Sequence, residues 1–257
     1  MSRHIVTKSH PITDPDFAAD CKRRLDEDEI LLLRGFFTPE SIEQAAAESA
    51  VLEEYAHYSN ATSNVYLTKG DSSIPDDHPY NRPVVSNKGL IADDLIATDS
   101  TLREIYDDPE FREFIRIVLG LPAVYPYPDR LQSIVISVAG EGMELGWHFD
   151  TSASSITMLL QAPEAGGVFE YVPGLRDADS GDMGFEEVAL VLAGEFPTTT
   201  LDTAPGDLAL FRGRNSLHRV TPVTGQTTRS VAIFAFNEVP DISLSDDALL
   251  TFFGRTS

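Results

Sequence analysis

The sequence predicts a mainly β, α+β chain: helices come first, and a double-sheet jelly roll (a double-stranded β-helix) follows with those N-terminal helices packed against it. Three observations carry this expectation. Helix start and stop signals concentrate before residue 120. After Leu121, short runs rich in β-branched and aromatic residues recur between Gly- and Pro-containing turns, as in a sandwich or barrel. No internal repeat or low-complexity linker divides the 257 residues, a length that can bury a full core without disulfides or structural metal. The expected organisation is one domain over 1–257: a helical N-terminal part with a loop or lid over 1–120, a jelly-roll core over 121–240 and a C-terminal segment over 241–257.

The first apolar run, Glu29 to Phe37 (EILLLRGFF), is short and ends near a turn, as a strand does. Thr38-Pro39-Glu40 then opens a helix expected to reach about His57. Thr38 can N-cap it, Pro39 suits the first helical position and Glu40 complements the dipole. Residues 59–90, rich in Ser, Asn, Asp, Pro and Gly, read as a long loop or lid. Asp108-Pro109 starts a second helical region and Gly120 stops it. The β block runs through AVYPY, LQSIVISVAG, ELGWHFD, SITMLLQA, GGVFEYVPG, TTTLDT, DLALFRG, LHRVTPV and TRSVAIFAFNEV, with one helical insertion near Glu186 to Leu192. The tail DISLSDDALLTFF is expected to pack a helix or turn back on the barrel.

Charge excludes some partners. Against 41 Asp and Glu stand 19 Lys and Arg, a formal net charge of −22. Such a surface repels phosphate backbones and anionic lipid, so neither nucleic acid nor a membrane surface is expected as a partner. Cys21 is the only cysteine, which excludes an intrachain disulfide and a Cys-based zinc site. It lies in a charged helical stretch, AADCKRRLDEDE, without a catalytic signature. The N-terminal MSRHIVTKSHPITDPDF has no apolar h-region, and no stretch approaches the roughly 18 apolar residues that span a bilayer. A soluble, cytoplasmic protein is expected.

The chemistry-bearing residues sit at expected strand ends. His148 and Asp150 occur as His-Phe-Asp, and alternate side chains of a strand share a face, so both can point into the barrel mouth while Phe149 points away. A second histidine, His218, lies in the later strand SLHRVTPV. Two histidines and one carboxylate match the facial triad for non-haem Fe(II), which leaves cis positions open. A His-x-Asp alone arises often by chance, and either histidine alone is as readily a satisfied core or surface residue. Arg229 lifts the signal: it follows His218 by eleven residues and begins the strand RSVAIFAF. An arginine buried beside an apolar strand needs an anionic partner, and a guanidinium can hold a ligand carboxylate bidentately. For substrate, Arg82 in NRPVVSNKG could bind a carboxylate or be a solvated loop arginine, and Asn237 could point into the mouth or form a turn. Trp147 is assigned to packing. Asp76 and Asp77 could attract an amine or simply be solvated.

GWHFDTS, MLLQAPEAGGVFEYVPG and APGDLALFRGRNSLHRVTPVTG with TTRSVAIFAF together resemble the Fe(II)/2-oxoglutarate-dependent oxygenases, over roughly residues 120 to 237. The resemblance implies that His148, Asp150 and His218 ligate iron and that Arg229 binds the distal carboxylate of 2-oxoglutarate. It implies no catalytic side chain beyond the metal centre, with dioxygen and a small-molecule substrate as the other partners. The implied chemistry is oxidative decarboxylation to succinate and CO2, then hydrogen abstraction from the substrate and hydroxyl rebound. GGVFEYVPGLRD is similar to the small enzymes that halogenate or hydroxylate free amino acids such as lysine. In radical halogenases of this type a small residue replaces the carboxylate and chloride occupies the vacated site. Asp150 is present here, so the resemblance implies the hydroxylase version. Lysine is one candidate among similar amino acids, because Leu145 precedes the metal strand and no cationic-amine clamp is visible there. The alternatives are the same oxygenase chemistry on a carrier-bound, peptide or other metabolite substrate, and a non-enzymatic jelly-roll module. The last leaves the joint occurrence of His148, Asp150, His218 and Arg229 unexplained.

Overall fold

The computed structural model describes residues 3–257. Helix α1 (Pro15–Asp28) begins on Asp14, whose carboxylate accepts the Asp16 N–H, and leads into strand β1 (Ile30–Leu33). Helix α2 (Pro39–Leu52) starts as expected: the Thr38 hydroxyl accepts the Ser41 N–H and Pro39 opens the first turn. It stops short of His57, because a 3-10 turn over Glu53–Tyr55 redirects the chain into strand β2 (His57–Ser63). The 59–90 segment is therefore not a loop throughout. β2 pairs antiparallel with β3 (Val84–Ile91), from His57↔Leu90 to Ser63↔Val84, leaving only 64–83 as connection. Its polar composition belongs to an edge strand: β2 has no buried residue and pairs on one side only.

Helices α3 (Thr101–Asp107) and α4 (Pro109–Leu119) follow; Asp108 caps α4 and Gly120 closes it at φ 73°. AVYPY forms no strand, only a bridge between Tyr125 and Asn237, because Pro126 and Pro128 lack the donors a ladder needs. The β block then gives β4 (Ile134–Ala139), β5 (Glu144–His148), β6 (Ser155–Gln161), β7 (Ala165–Gly166) and β8 (Phe169–Val172). After helix α5 (Phe185–Ala193) come β9 (Thr199–Leu201), β10 (Leu208–Phe211), β11 (Leu217–Val220), β12 (Val223–Thr224) and β13 (Arg229–Phe234). Helix α6 (Asp246–Phe253) is the expected C-terminal element.

The fold is a jelly roll with helices packed on it. Strands run in the order β1-β10-β6-β13-β4-β3-β5-β11-β8-β9, with β2 attached to β3. The sheet curls at β3, which pairs with β4 through Gly89–Ile91 and with β5 through Ser86 and Asn87. On the outer face of one layer, Leu25, Phe111, Phe114 and Ile115 meet Ile134, Ile136, Ile156 and Leu210 in the main core. Each such buried side chain contributes roughly 1.5–3 kcal/mol. On the other layer, Val188 and Val191 of α5 cover Trp147, Phe149, Val172 and Leu217. That second cluster fixes the phase of β5: Trp147 and Phe149 face outward, so His148 faces the barrel interior. No helix among the described residues is long and apolar enough to cross a membrane.

Candidate active site

β5 and β11 lie side by side with His218 directly opposite His148, and their ring centroids are 4.1 Å apart. Beyond β5 the Phe149 N–H donates to the Val65 carbonyl and the Asp150 N–H to the Gly213 carbonyl. Those two bonds turn Asp150 back toward the rings. Its Oδ1 lies 3.5 Å from His148 Nε2 and 3.4 Å from His218 Nε2. The three donor atoms all fall within 4.8 Å of one another. Gly213 makes room for the carboxylate, since a Cβ there would stand 2.0 Å from Asp150 Oδ2.

Each ring is held by a carbonyl two residues back on its own strand. His148 Nδ1 donates to Gly146 O at 2.8 Å and His218 Nδ1 to Ser216 O at 3.0 Å. With Nδ1 carrying the proton, both Nε2 lone pairs point at the Asp150 side. Burial pushes the His148 imidazole down from its ordinary value and His218 adds to this, so the ring is neutral. Burial alone would raise the Asp150 carboxyl, but the two histidines, His218 first, hold it well below the usual carboxylate range. A neutral His148 imidazole and an ionised Asp150 carboxylate are states that suit a divalent cation, and two imidazole nitrogens with one carboxylate oxygen fit Fe(II).

The triad opens on a cavity of about 340 Å³ between the two layers, near the small end of the roughly 300–1,000 Å³ of ligand pockets. Leu90, Leu145, Leu159, Val220 and Val231 make its walls largely apolar. Arg229 enters it from the first residue of β13. No hydrogen bond or ion pair ties its guanidinium to the described residues, and burial pushes it down to about 10. Gly167, at φ 59°, gives it space: a Cβ there would lie 2.8 Å from Arg229 Cδ. A guanidinium placed so is suited to a ligand carboxylate.

Lys88 was not foreseen from the sequence. It lines the same cavity from β3 and likewise has no ion pair among the described residues. The signal was its phase, two residues before apolar Leu90 in one strand, and it was lost by treating the segment as a loop. Arg82 and Asn237 lie elsewhere. Arg82 Nη2 donates to the Leu192 carbonyl at 2.7 Å, beside the end of α5. Asn237 Nδ2 donates to the Ile242 carbonyl at 2.7 Å, the turn-forming alternative. Neither lines the cavity. Asp76 and Asp77 are exposed in the 64–83 connection.

The family described as HalD: Halogenase D matches residues 14–248. The chain belongs to this halogenase D family. The match takes in the helices from α1 onward as well as the jelly roll. No curated protein matches the chain. Among solved structures, an oxidoreductase of the 2OG-Fe(II) oxygenase family from Burkholderia pseudomallei is similar at 15% identity and TM-score 0.56, covering 86% of this chain and 91% of that one. The epimerase SnoN from nogalamycin biosynthesis, solved with Fe3+, alpha ketoglutarate and nogalamycin RO, aligns at 16% identity and TM-score 0.57, over 86% of this chain and 84% of its own. A Pseudomonas putida prolyl-4-hydroxylase aligns at 12% identity and TM-score 0.52, over 84% and 97%. At these identities the likeness is one of fold: the halogenase D chain has the jelly roll of the 2OG-Fe(II) oxygenases.

Proposed function

We propose that this halogenase D family member is an Fe(II)- and 2-oxoglutarate-dependent hydroxylase of a small polar substrate, a free amino acid such as lysine or one like it. The observation that carries the proposal is Asp150, an ionised carboxylate set between two Nε2 atoms at 3.4 and 3.5 Å. In this proposal His148, Asp150 and His218 hold the iron, and Arg229 takes the distal carboxylate of 2-oxoglutarate. Bound together, iron and 2-oxoglutarate supply the oxidising power that puts an oxygen atom from dioxygen into a C–H bond.

The chain's own residues do the rest. The Gly146 and Ser216 carbonyls hold the proton on each Nδ1 and keep both Nε2 atoms aimed. The largely apolar walls would favour a dry environment at the reacting carbon. Asp150 would hold the position a halide would need, which favours hydroxylation over halogenation. The test is an anaerobic Fe(II) and 2-oxoglutarate incubation, then oxygen, with a panel of free amino acids and excess chloride. Succinate release coupled to a product gaining one oxygen atom is expected. A dominant chlorinated product with Asp150 intact would overturn the assignment of Asp150 as a ligand.

A further inference from the structure

The barrel interior contains a second cation that the proposed chemistry has not used. Gly89, Val138 and Ser230 form one row across the neighbouring strands β3, β4 and β13. In that antiparallel register Lys88 and Arg229 stand one residue to the same side of the row, with β4 alone between their strands. Both line the cavity. The strand order β13-β4-β3-β5-β11 sets β3, which carries Lys88, between the strand of Arg229 and the two strands of the triad histidines.

Among the described residues no carboxylate forms a hydrogen bond or ion pair with Lys88. Asp150 is committed to the two imidazoles. Asp207, the other acid lining the cavity, accepts the Gly35 N–H at 2.7 Å and the Ala204 N–H at 2.9 Å, closing the turn before β10. Two neighbouring half-buried cations, neither ion-paired among the described residues, repel each other and lose hydration, a cost a monoanion relieves at one end only. A dicarboxylate with an anionic group at each end matches both.

We propose that Lys88 binds the carboxylate of 2-oxoglutarate adjacent to the metal, while Arg229 takes the distal one. The proposal rests on the cosubstrate assignment above. The ligand's two ends can be probed separately with compounds that keep only one. Levulinate retains the keto group and the distal carboxylate; α-ketovalerate retains the keto group and the proximal one.

The experiment is calorimetric titration of Mn(II)-loaded protein with 2-oxoglutarate, levulinate and α-ketovalerate, in wild type and Lys88→Met. Removing one partner of a desolvated charge pair is expected to weaken 2-oxoglutarate and α-ketovalerate by roughly 30-fold or more each. Levulinate and Mn(II) affinities should not change, and Lys88→Arg should recover part of the loss. Metal-free Lys88→Met should melt no lower than wild type, because the variant removes a half-buried charge that no described residue pairs. An equal loss for levulinate would overturn the proposal and put Lys88 on the distal carboxylate beside Arg229. Unchanged affinity for all three ligands, with a raised KM for substrate, would overturn it in favour of a substrate carboxylate. Failure of wild type to bind 2-oxoglutarate at all would instead overturn the cosubstrate assignment, and this proposal with it.

Discussion

Gly213→Ala should detach Asp150 from the imidazoles while leaving the jelly roll standing. The added Cβ would lie 2.0 Å from Asp150 Oδ2 and 2.6 Å from its Cγ, whereas ordinary contact begins near 3.4 Å. The oxygen must therefore retreat by about 1.4 Å, far outside the roughly 0.2 Å tolerance of a metal–ligand distance. A backbone shift is opposed by the Asp150 N–H, which donates to the Gly213 carbonyl at 3.0 Å. Gly213 is not among the residues of positive φ, so alanine suits its conformation. The atoms displaced belong to one side chain, and a cost near 1 kcal/mol would lower Tm by only about 2–4 °C. Metal affinity should fall by at least the roughly 10- to 100-fold typical of a disturbed supporting residue. Mn(II) calorimetry with thermal melts of the metal-free protein measures both quantities. Wild-type metal affinity in Gly213→Ala would refute the assignment of Asp150 as a ligand; a collapse of Tm would refute the claim that the clash is local.

Two further outcomes follow from burial. Arg229→Met should weaken 2-oxoglutarate by roughly 30-fold or more with Mn(II) affinity retained, and an unchanged affinity would remove Arg229 from the cosubstrate site. The Cys21 thiol is fully buried and pushed up to about 11 by that burial, so native protein should resist a thiol reagent at pH 8 and react only on unfolding; prompt native labelling would contradict its packing in the α1 core.

The sequence made the triad legible because strand alternation and metal chemistry coincide. His-Phe-Asp can hold one ion only if Phe149 is buried outward, and it is, beside Trp147 beneath α5. Helix caps were equally readable at Thr38, Asp108 and Gly120, where a local hydrogen bond or a left-handed φ decides the boundary. What failed was local composition used as a substitute for pairing. β2 and β3 are polar enough to look like loop, yet seven consecutive residue pairs join them. Conversely AVYPY has strand-like side chains but prolines where donors are required. Lys88 disappeared with β3: once that segment lost its period, no inward phase could be assigned. Arg82 and Asn237 were polar residues near the mouth in sequence, but each met a carbonyl first.

Charge works on two length scales in this molecule. The net charge of −22 describes the outer surface, where salt screens fields beyond about 8 Å at physiological ionic strength. That surface opposes the approach of a dianion and favours amine-bearing molecules, an effect on encounter rate. The cavity is balanced, with Lys88 and Arg229 against Asp150 and Asp207. Lys88 and Arg229 line it unpaired, and Asp150 is held by the imidazoles. Inside, low-dielectric walls strengthen each contact, so affinity for a small dicarboxylate follows the local cations rather than the global sum. Total charge alone would have argued against an anionic cosubstrate, and the register of β3, β4 and β13 reverses that inference.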